Sequence, residues 1–476
     1  MKGLFSYKLM IPKKAADDHD SRRKVRIFMI LNEHQNEREA REAILQRVRE
    51  YCETYHKKAP YREGDRIPYA SRVYDSEEMC RLVDSALDFW LTSGRYTDEF
   101  EKKFGEYLGV PHVCLVNSGS SANLLAFMTL TSPLLGDRAI RRGDEIITVA
   151  AGFPTTVTPC IQFGAIPVFV DVTIPQYNID VRMLEAALSE KTRAVMLAHT
   201  LGNPFDLAAV KDFCDKHNLW LVEDNCDALG SEYDWNGVVR KTGTVGDLGT
   251  SSFYPPHHMT MGEGGAVYTN NPLLAKIARS IRDWGRDCVC PAGVDNFCRH
   301  RFDRRYGALP DGYDHKYVYS HFGYNLKATD MQAAVGCAQL EKLPAFVARR
   351  RHNFARLRDA LIPVADKLIL PEPAPRANPS WFGFLMTCRE GLDCERVIRY
   401  AEDHGVQTRR LFAGNLTKHP CFDEMRARGE GYRIVGSLAN TDRIMRDTFW
   451  VGVYPGMTDE MIDRVARVIL EAVRQR

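Results

Sequence analysis

Residues 219–230 read LWLVEDNCDALG, a short apolar run that ends in two carboxylates, Glu223 and Asp224. An uninterrupted run of this length between turns is typical of a strand buried on both faces of a parallel sheet. In open α/β sheets, ligands bind beyond the carboxyl ends of the strands. Asp224 could therefore hold the protonated ring nitrogen of a cofactor, or it could cap the following helix.

Similar segments recur on either side of this run. HVCLVN, EIITVA, IPVFVDV, AVMLAHT and GGAVYT are strand-like, and helical patterns fill the intervals between them. Strands that alternate with helices predict an α/β fold with a large, mostly parallel sheet. We expect an N-terminal extension with a helix at 36–57 (1–69), a large domain (70–345) and a smaller C-terminal α+β domain (346–476).

The overall composition excludes several classes of protein. The chain has 476 residues, and its 64 basic and 62 acidic residues give no reason to expect nucleic acid or an anionic membrane as partner. No apolar stretch approaches the ~18 residues of a membrane span, and no signal peptide is evident, so we expect a cytoplasmic protein. Thirteen cysteines without a secretory signal indicate metal ligands or reactive thiols rather than a disulfide framework.

Three further motifs follow predicted strands. NSGSSAN (117–123) has small residues that suit a phosphate at a helix N-terminus, although an ordinary strand-to-helix turn also explains it. Phe153 in AAGFP could stack on a flat ring or belong to the core. Ser252 and His257 stand five residues apart in SSFYPPHHMTMGEGG (251–265), and no lysine occurs between Lys241 and Lys276.

The order of these motifs resembles that of pyridoxal phosphate enzymes of the aspartate aminotransferase-like fold (fold type I). The chain from about residue 70 to 476 is similar to the DegT/DnrJ/EryC1/StrS sugar aminotransferase family, also through YNLKATDMQAAVGCAQL (324–340). SFYPPHHMTMGEGG, RDWGRDC, AHTLGNPFD and LFAGNLT resemble its CDP-4-keto-6-deoxyglucose 3-dehydrase branch. In most members a lysine stands where this chain has His257.

Histidine moves protons but forms no stable imine, so His257 implies a cofactor held without a covalent bond. The resemblance then implies pyridoxamine 5′-phosphate (PMP), with His257 as the base at the C4′ carbon and loss of the C3 hydroxyl of a nucleotide-linked 4-keto-6-deoxyhexose. Such a reaction belongs to 3,6-dideoxysugar and lipopolysaccharide biosynthesis.

The resemblance also assigns roles to the other residues of the site. Asp224 would pair with the ring nitrogen, Phe153 would stack on the ring, and Asp227 would lie near the ring oxygen. The phosphate would be held by Gly119, Ser120 and Ser252, together with Asn325 of the neighbouring subunit in a homodimer. Substrate contacts are expected from Arg409, Arg410 and His258, although a solvated turn also explains the arginine pair.

Four cysteines form a further candidate site, a set of possible metal ligands. CVCPAGVDNFC places Cys288, Cys290 and Cys298 within eleven residues, and Cys226 lies two residues beyond Asp224. Four thiolates suit either an iron–sulfur cluster or zinc. In the 3-dehydrase branch, the matching cysteines carry a [2Fe–2S] cluster, which implies a partner that delivers electrons, either an NAD(P)H-dependent flavin/iron–sulfur reductase or a ferredoxin system.

Other functions remain open from the sequence. The chain could be a cluster-free sugar 3-dehydratase that regenerates its amine from an amino acid, or a nucleotide-sugar aminotransferase with a displaced lysine. It could also be a regulatory, cofactor-binding protein with a structural zinc site on the four cysteines.

Overall fold

A computed structural model describes residues 36–57, 59–288, 290, 293–297 and 299–475. The extension expected at 1–35 lies outside these residues. The α-helices are α1 (Glu37–Tyr55), α2 (Ser76–Asp88), α3 (Arg95–Leu108), α4 (Gly119–Thr129), α5 (Pro154–Phe163), α6 (Leu184–Ala187), α7 (Leu207–Lys216), α8 (Pro272–Arg282), α9 (Asp330–Leu361), α10 (Cys394–Asp403), α11 (Asp423–Arg428), α12 (Ala439–Asp447) and α13 (Asp459–Arg474).

The strands belong to three sheets. They are β1 (His112–Val116), β2 (Glu145–Val149), β3 (Ile166–Val170), β4 (Thr192–Ala198), β5 (Trp220–Asp224), β6 (Glu232–Trp235), β7 (Val238–Lys241), β8 (Leu248–Ser252), β9 (Gly265–Thr269), β10 (Leu368–Ile369), β11 (Ala377–Asn378), β12 (Gly383–Cys388), β13 (Thr408–Arg409), β14 (Arg433–Ile434) and β15 (Thr448–Gly452).

The largest sheet has eight strands in the order β1-β9-β8-β5-β4-β2-β3-β14. Its pairs are parallel except those of β9, which runs antiparallel to both β1 and β8. The structure therefore confirms the predicted α/β fold with a mostly parallel sheet. Strand β8 was not predicted from the sequence, because LGTSS lacks the large β-branched and aromatic residues that are typical of a strand.

Both faces of this sheet are buried. Successive strand residues point to opposite sides of the sheet, and residues on each side belong to a core. Ile147 and Leu221 pack into the core on one face, and Ile146 and Val222 pack into the core on the other. This arrangement explains why the strands have continuous apolar runs rather than an alternating pattern.

The C-terminal part builds a second, four-stranded sheet in the order β10-β12-β15-β13. The 32-residue helix α9 runs through the boundary expected at 345/346, contains Pro344, and packs against α2, α3 and α13. It therefore connects the two cores as one continuous helix. The helix predicted at 36–57 is confirmed as α1, capped by Asn36, with Cys52 buried. In the described part of the chain, no helix has the length and apolar character needed to cross a bilayer.

Candidate active site

A cavity of about 650 Å³ opens at the carboxyl ends of β4, β5 and β8. Ten of the residues singled out from the sequence line it: Gly119, Ser120, Phe153, Asp224, Cys226, Asp227, Ser252, His257, Arg409 and Arg410. The position agrees with the rule that α/β sheets bind ligands beyond the ends of their parallel strands. The site is thus assembled from segments almost 300 residues apart in the chain.

Asp224, the last residue of β5, is a buried carboxylate held by neutral donors. Its Oδ2 accepts hydrogen bonds from Asn123 Nδ2 at 2.8 Å and from Thr156 Oγ1 at 2.7 Å, and its Oδ1 accepts one from the Cys226 N–H at 3.2 Å. Within the described residues, no cationic side chain lies within ion-pair distance of it. A buried carboxylate without a cation suits a positively charged ligand such as a pyridinium nitrogen.

Glu223 is adjacent in sequence but points to the opposite side of the strand. Its carboxylate accepts hydrogen bonds from the backbone N–H groups of Gly243 at 2.7 Å and Val245 at 2.8 Å, and its Oε2 lies 2.9 Å from His199 Nε2. Of the two acidic residues at the end of β5, therefore, Glu223 stabilises the turn before β8, and only Asp224 lines the cavity.

The N-terminus of helix α4 forms a cradle at one end of the cavity. A Cβ atom on Gly119 would lie 2.4 Å from Ser252 Cβ and 3.1 Å from Cys226 Sγ, so only glycine fits here. Ser118 caps the helix by accepting a hydrogen bond from Ser121 N–H at 3.0 Å. The first N–H groups of a helix have no partner within it and attract anions. A phosphate fits this cradle, with Ser252 on its other side.

His257 lies on the wall of the cavity between Asp227 and the ring of Phe382. Its Nδ1 is 3.3 Å from Asp227 Oδ1, which is close enough for an ion pair but not aligned for a hydrogen bond. The His257 and Phe382 ring centroids are 5.3 Å apart. None of the described residues that line the cavity is a lysine. The imidazole is thus a proton-transfer group on the cavity wall, where His419, Asp227 and Glu263 are the other titratable candidates.

Arg350 stabilises the backbone of His257, a role that the sequence analysis did not predict. The guanidinium is buried and donates from Nη2 to the His257 carbonyl and from Nη1 to the carbonyls of Trp381 and Phe382, each at 3.2 Å. It therefore joins helix α9 to the histidine segment and to the small domain. An arginine 93 residues away has no spacing signal that could have identified it.

Phe153 precedes helix α5 and forms another wall. Its ring is about half exposed and lies 6.2 Å from the ring of Phe412, centroid to centroid. A half-exposed phenylalanine beside a cavity is available for stacking on a flat ligand, whereas a core side chain would be enclosed.

The expected substrate residues do not share one role. His258 is buried outside the cavity, where its Nε2 donates to the Ser380 carbonyl at 2.8 Å, and burial lowers its pKa well below the usual value. The prediction that it contacts substrate is corrected: it is a neutral residue of the interior. Arg410 is tied to Glu395 at 2.8 Å. Arg409 is exposed, lines the cavity and lies over the Tyr69 ring at 4.1 Å.

Of the four predicted cysteine ligands, the three that the structure describes line two different cavities. Cys226 lines the cofactor cavity, and burial raises the pKa of its thiol well above the usual range. Cys288 and Cys290 line a different cavity of about 770 Å³. Cys298 lies outside the described residues, and among those residues no three potential ligands are placed to hold a metal ion. Asn325 is exposed, pairs through its backbone with Asp283, and does not line the cofactor cavity of its own chain.

The fold and this site suit an enzyme that binds a phosphorylated, positively charged cofactor. The profile of the DegT/DnrJ/EryC1/StrS aminotransferase family matches residues 73–470, and the chain belongs to this family.

Several relatives are similar over most of the chain. The lipopolysaccharide biosynthesis protein RfbH of Salmonella typhimurium is 54% identical over 89% of this chain and 96% of its own length. The dTDP-4-dehydro-2,6-dideoxy-D-glucose 3-dehydratase of Saccharopolyspora spinosa is 48% identical over 91% and 92%. Among solved structures, Escherichia coli GDP-4-keto-6-deoxy-D-mannose-3-dehydratase with bound hydrated PLP has a TM-score of 0.74 and 26% identity, and it covers 84% of this chain and 98% of its own.

Proposed function

We propose that this protein is a cytoplasmic PMP-dependent 3-dehydrase that removes the C3 hydroxyl of a nucleotide-linked 4-keto-6-deoxyhexose in deoxysugar biosynthesis. The observation that carries the proposal is His257, an imidazole beside Asp227 in a cavity whose described lining includes no lysine. The names of relatives at 54% and 48% identity, a lipopolysaccharide biosynthesis protein and a sugar 3-dehydratase, support the same reaction class.

The described residues fit the cofactor. Asp224 would hold the pyridinium nitrogen, Phe153 would stack on the ring, and the cradle of Gly119, Ser120 and Ser252 would hold the phosphate. When bound, PMP supplies an amine that condenses with the C4 ketone of the sugar and a ring that accepts electrons.

His257 then has one task, which is to take a proton from the C4′ carbon of the cofactor. General-base catalysis of this kind typically contributes about 10²–10⁴-fold in rate. The Asp227 carboxylate, 3.3 Å from the imidazole Nδ1, would stabilise the ring when it becomes charged. Arg350 keeps the histidine backbone in place through its hydrogen bond to the carbonyl. Replacement of lysine by histidine favours elimination over amine transfer, because histidine cannot form the covalent imine through which a lysine would take the cofactor back.

Replacing the C3 hydroxyl by hydrogen releases water and consumes two electrons and two protons. We propose that the electrons come from a separate reductase through a [2Fe–2S] cluster, for which the resemblance offers Cys226, Cys288, Cys290 and Cys298. Within one chain, however, Cys226 and the Cys288–Cys290 pair lie in different cavities, so they do not fit one cluster there.

The proposed substrate carries CDP, as in the branch that the sequence resembles, and we expect Arg409, which lines the cavity, to bind its diphosphate. Guanidinium groups suit phosphate because two N–H groups can bind two oxygens at once. The dTDP and GDP sugars in the names of the relatives are the alternatives.

Incubation without oxygen tests the function directly. The protein, loaded with PMP, is mixed with CDP- or dTDP-4-keto-6-deoxyglucose and a chemical reductant, and the sugar products are analysed by mass. We expect a product lighter by one oxygen atom, formed faster from the CDP sugar. A product that instead carries an amino group would identify an aminotransferase and refute the proposal.

A cluster-free 3-dehydratase is the second candidate, because the described residues contain no metal-binding group. It would form the deoxygenated product without iron, provided that an amino acid regenerates the amine. Glutamate in place of the reductant distinguishes the two: turnover with glutamate alone favours the second candidate. An absorbance spectrum of the anaerobically purified protein separates the cluster-bearing enzyme from a zinc-bearing regulatory protein, since zinc is colourless.

A further inference from the structure

A run of aromatic rings connects His257 with Arg409 along one wall of the cofactor cavity. The ring centroid of Phe382 lies 5.3 Å from that of His257 and 5.6 Å from that of Trp450. The Trp450 ring is in turn 5.3 Å from the ring of Tyr69, over which the Arg409 guanidinium lies at 4.1 Å. All five residues line the cavity. The wall therefore leads from the proposed base to a cation.

The part of this wall nearest His257 is apolar. Phe382 and Trp450 are buried members of one hydrophobic core, together with Leu201, which also lines the cavity. The indole Nε1 of Trp450, the only polar atom of that side chain, donates to the Arg410 carbonyl at 3.1 Å. The three side chains thus offer only carbon to a ligand, and a hydroxyl group placed against them would lose its hydrogen bonds to water.

Close contacts hold this apolar surface in place. The Phe382 N–H donates to the Leu201 carbonyl at 2.9 Å, and the Phe382 carbonyl accepts a hydrogen bond from Arg350 at 3.2 Å. A Cβ atom on Gly383 would lie 2.4 Å from the Trp450 ring, so only glycine leaves space for the indole here. A surface fixed in this way can select a ligand by its shape, because little conformational entropy is lost when the ligand binds.

We propose that Phe382 and Trp450, with Leu201, bind the C6 methyl group of the sugar and thereby select a 6-deoxyhexose over a hexose with a hydroxyl group at C6. This inference rests on the proposed function, in which C4 of the sugar reacts beside His257. Because C1 lies opposite C4 in a pyranose ring, a sugar whose diphosphate binds Arg409 extends along the wall.

The chemistry of the reaction decides which edge of the sugar faces the wall. One edge carries C3 with its leaving hydroxyl group, and the other carries C5 with the methyl group. A leaving hydroxyl group needs a proton or hydrogen-bond donors, and Phe382 and Trp450 supply neither to the cavity. The methyl edge therefore faces the two rings, where its burial is favourable.

Titration calorimetry with two nucleotide sugars tests the inference. CDP-6-deoxyglucose and CDP-glucose differ only in the hydroxyl group at C6, and neither has the C4 ketone, so the PMP-loaded protein binds them without turnover. We expect the wild type to bind the 6-deoxy sugar about 10–100-fold more tightly, the range in which an apolar pocket discriminates against one added hydroxyl group. The dTDP-linked pair is titrated in parallel, since the methyl group is the same in both pairs.

Phe382→Leu and Trp450→Phe should each lower this preference about 3–10-fold, mainly through weaker binding of the 6-deoxy sugar, because apolar contact with the methyl group is lost. Phe412→Leu is the matched control, since the Phe412 ring also lines the cavity but lies beside Phe153. It should leave the ratio of the two dissociation constants unchanged. Circular dichroism and the affinity for CDP alone show which variants are folded, and either of the first two variants is sufficient for the test.

Equal affinity of the wild type for the 6-deoxy and 6-hydroxy sugars would overturn the inference. So would an unchanged preference in the folded Phe382 and Trp450 variants, or an equal decrease in Phe412→Leu. A wild-type protein that binds neither pair of sugars would instead refute the proposed substrate class itself, so the two failures are distinguishable.

Discussion

The two cavities of this protein differ in how completely one chain defines them. In the cofactor cavity, Asp224 accepts hydrogen bonds from several neutral donors, and Gly119 fits against Ser252 with no space for a side chain. Arg350 fixes the His257 backbone. The second cavity has Cys288 and Cys290 on its wall and a lining rich in arginine and lysine, beside exposed aromatic residues.

This difference indicates that the two cavities have different functions. A site whose polar groups are already oriented can select and activate a cofactor without reorganisation. A site with exposed aromatic and basic groups has a surface typical of protein interfaces. Changes at Asp224, His257 and Gly119 should therefore affect the cofactor, and changes at Cys288 and Cys290 should affect the proposed cluster and leave cofactor binding intact.

The proposed cluster would depend on the cysteines of the second cavity. Cys290→Ser should lower the bound iron of the reconstituted protein more than ~10-fold, because a neutral hydroxyl is a poor substitute for a thiolate ligand. PMP binding should remain as in the wild type. Iron is measured colorimetrically, and the exposed Cys421→Ser serves as the matched control that keeps its iron. Full iron in the Cys290 variant would exclude this residue as a ligand.

His257→Asn should reduce deoxygenation about 10²–10⁴-fold, the usual contribution of a general base, while PMP binding stays close to wild type. Turnover is followed by product mass with a chemical reductant. His352→Asn, at an exposed ion pair with Asp459, is the control. If the His257 variant retains its rate, another group is the base.

Asp224→Asn should weaken PMP binding about 10–100-fold, because hydrogen bonds to a charged partner contribute roughly 1.5–3 kcal/mol. The neutral amide keeps the size of the side chain but cannot balance a pyridinium charge. Titration of the apoprotein by fluorescence gives the dissociation constant. Unchanged affinity would show that Asp224 does not face the ring nitrogen. Iron content should not change.

Gly119→Ala should have the smallest effect on chemistry and a moderate one on the fold. The added methyl group overlaps Ser252, and overpacking of this kind costs roughly 1–3 kcal/mol. We expect a lower melting temperature and weaker binding of PMP, with pyridoxamine lacking the phosphate much less affected. Equal losses for both ligands would place the phosphate elsewhere.

The sequence predicted those parts of the molecule that depend on local pattern. Continuous apolar runs located the strands β2 and β5, and the order of motifs located Asp224 and His257. It did not locate β8, whose residues are small and polar, nor Arg350, whose partners are backbone carbonyls far along the chain. His258 shows the limit most clearly. It is adjacent to His257, yet the backbone turns its ring into the interior.

Hydrogen exchange at the C4′ carbon of the cofactor tests most directly whether His257 moves the proton at this carbon. Wild-type protein and His257→Asn are loaded with PMP in deuterated buffer together with the keto-sugar but without reductant, and deuterium at C4′ is followed by NMR. We expect exchange in the wild type and a decrease of at least ~100-fold in the variant at equal cofactor occupancy. Equal exchange rates in the two proteins would contradict the claim.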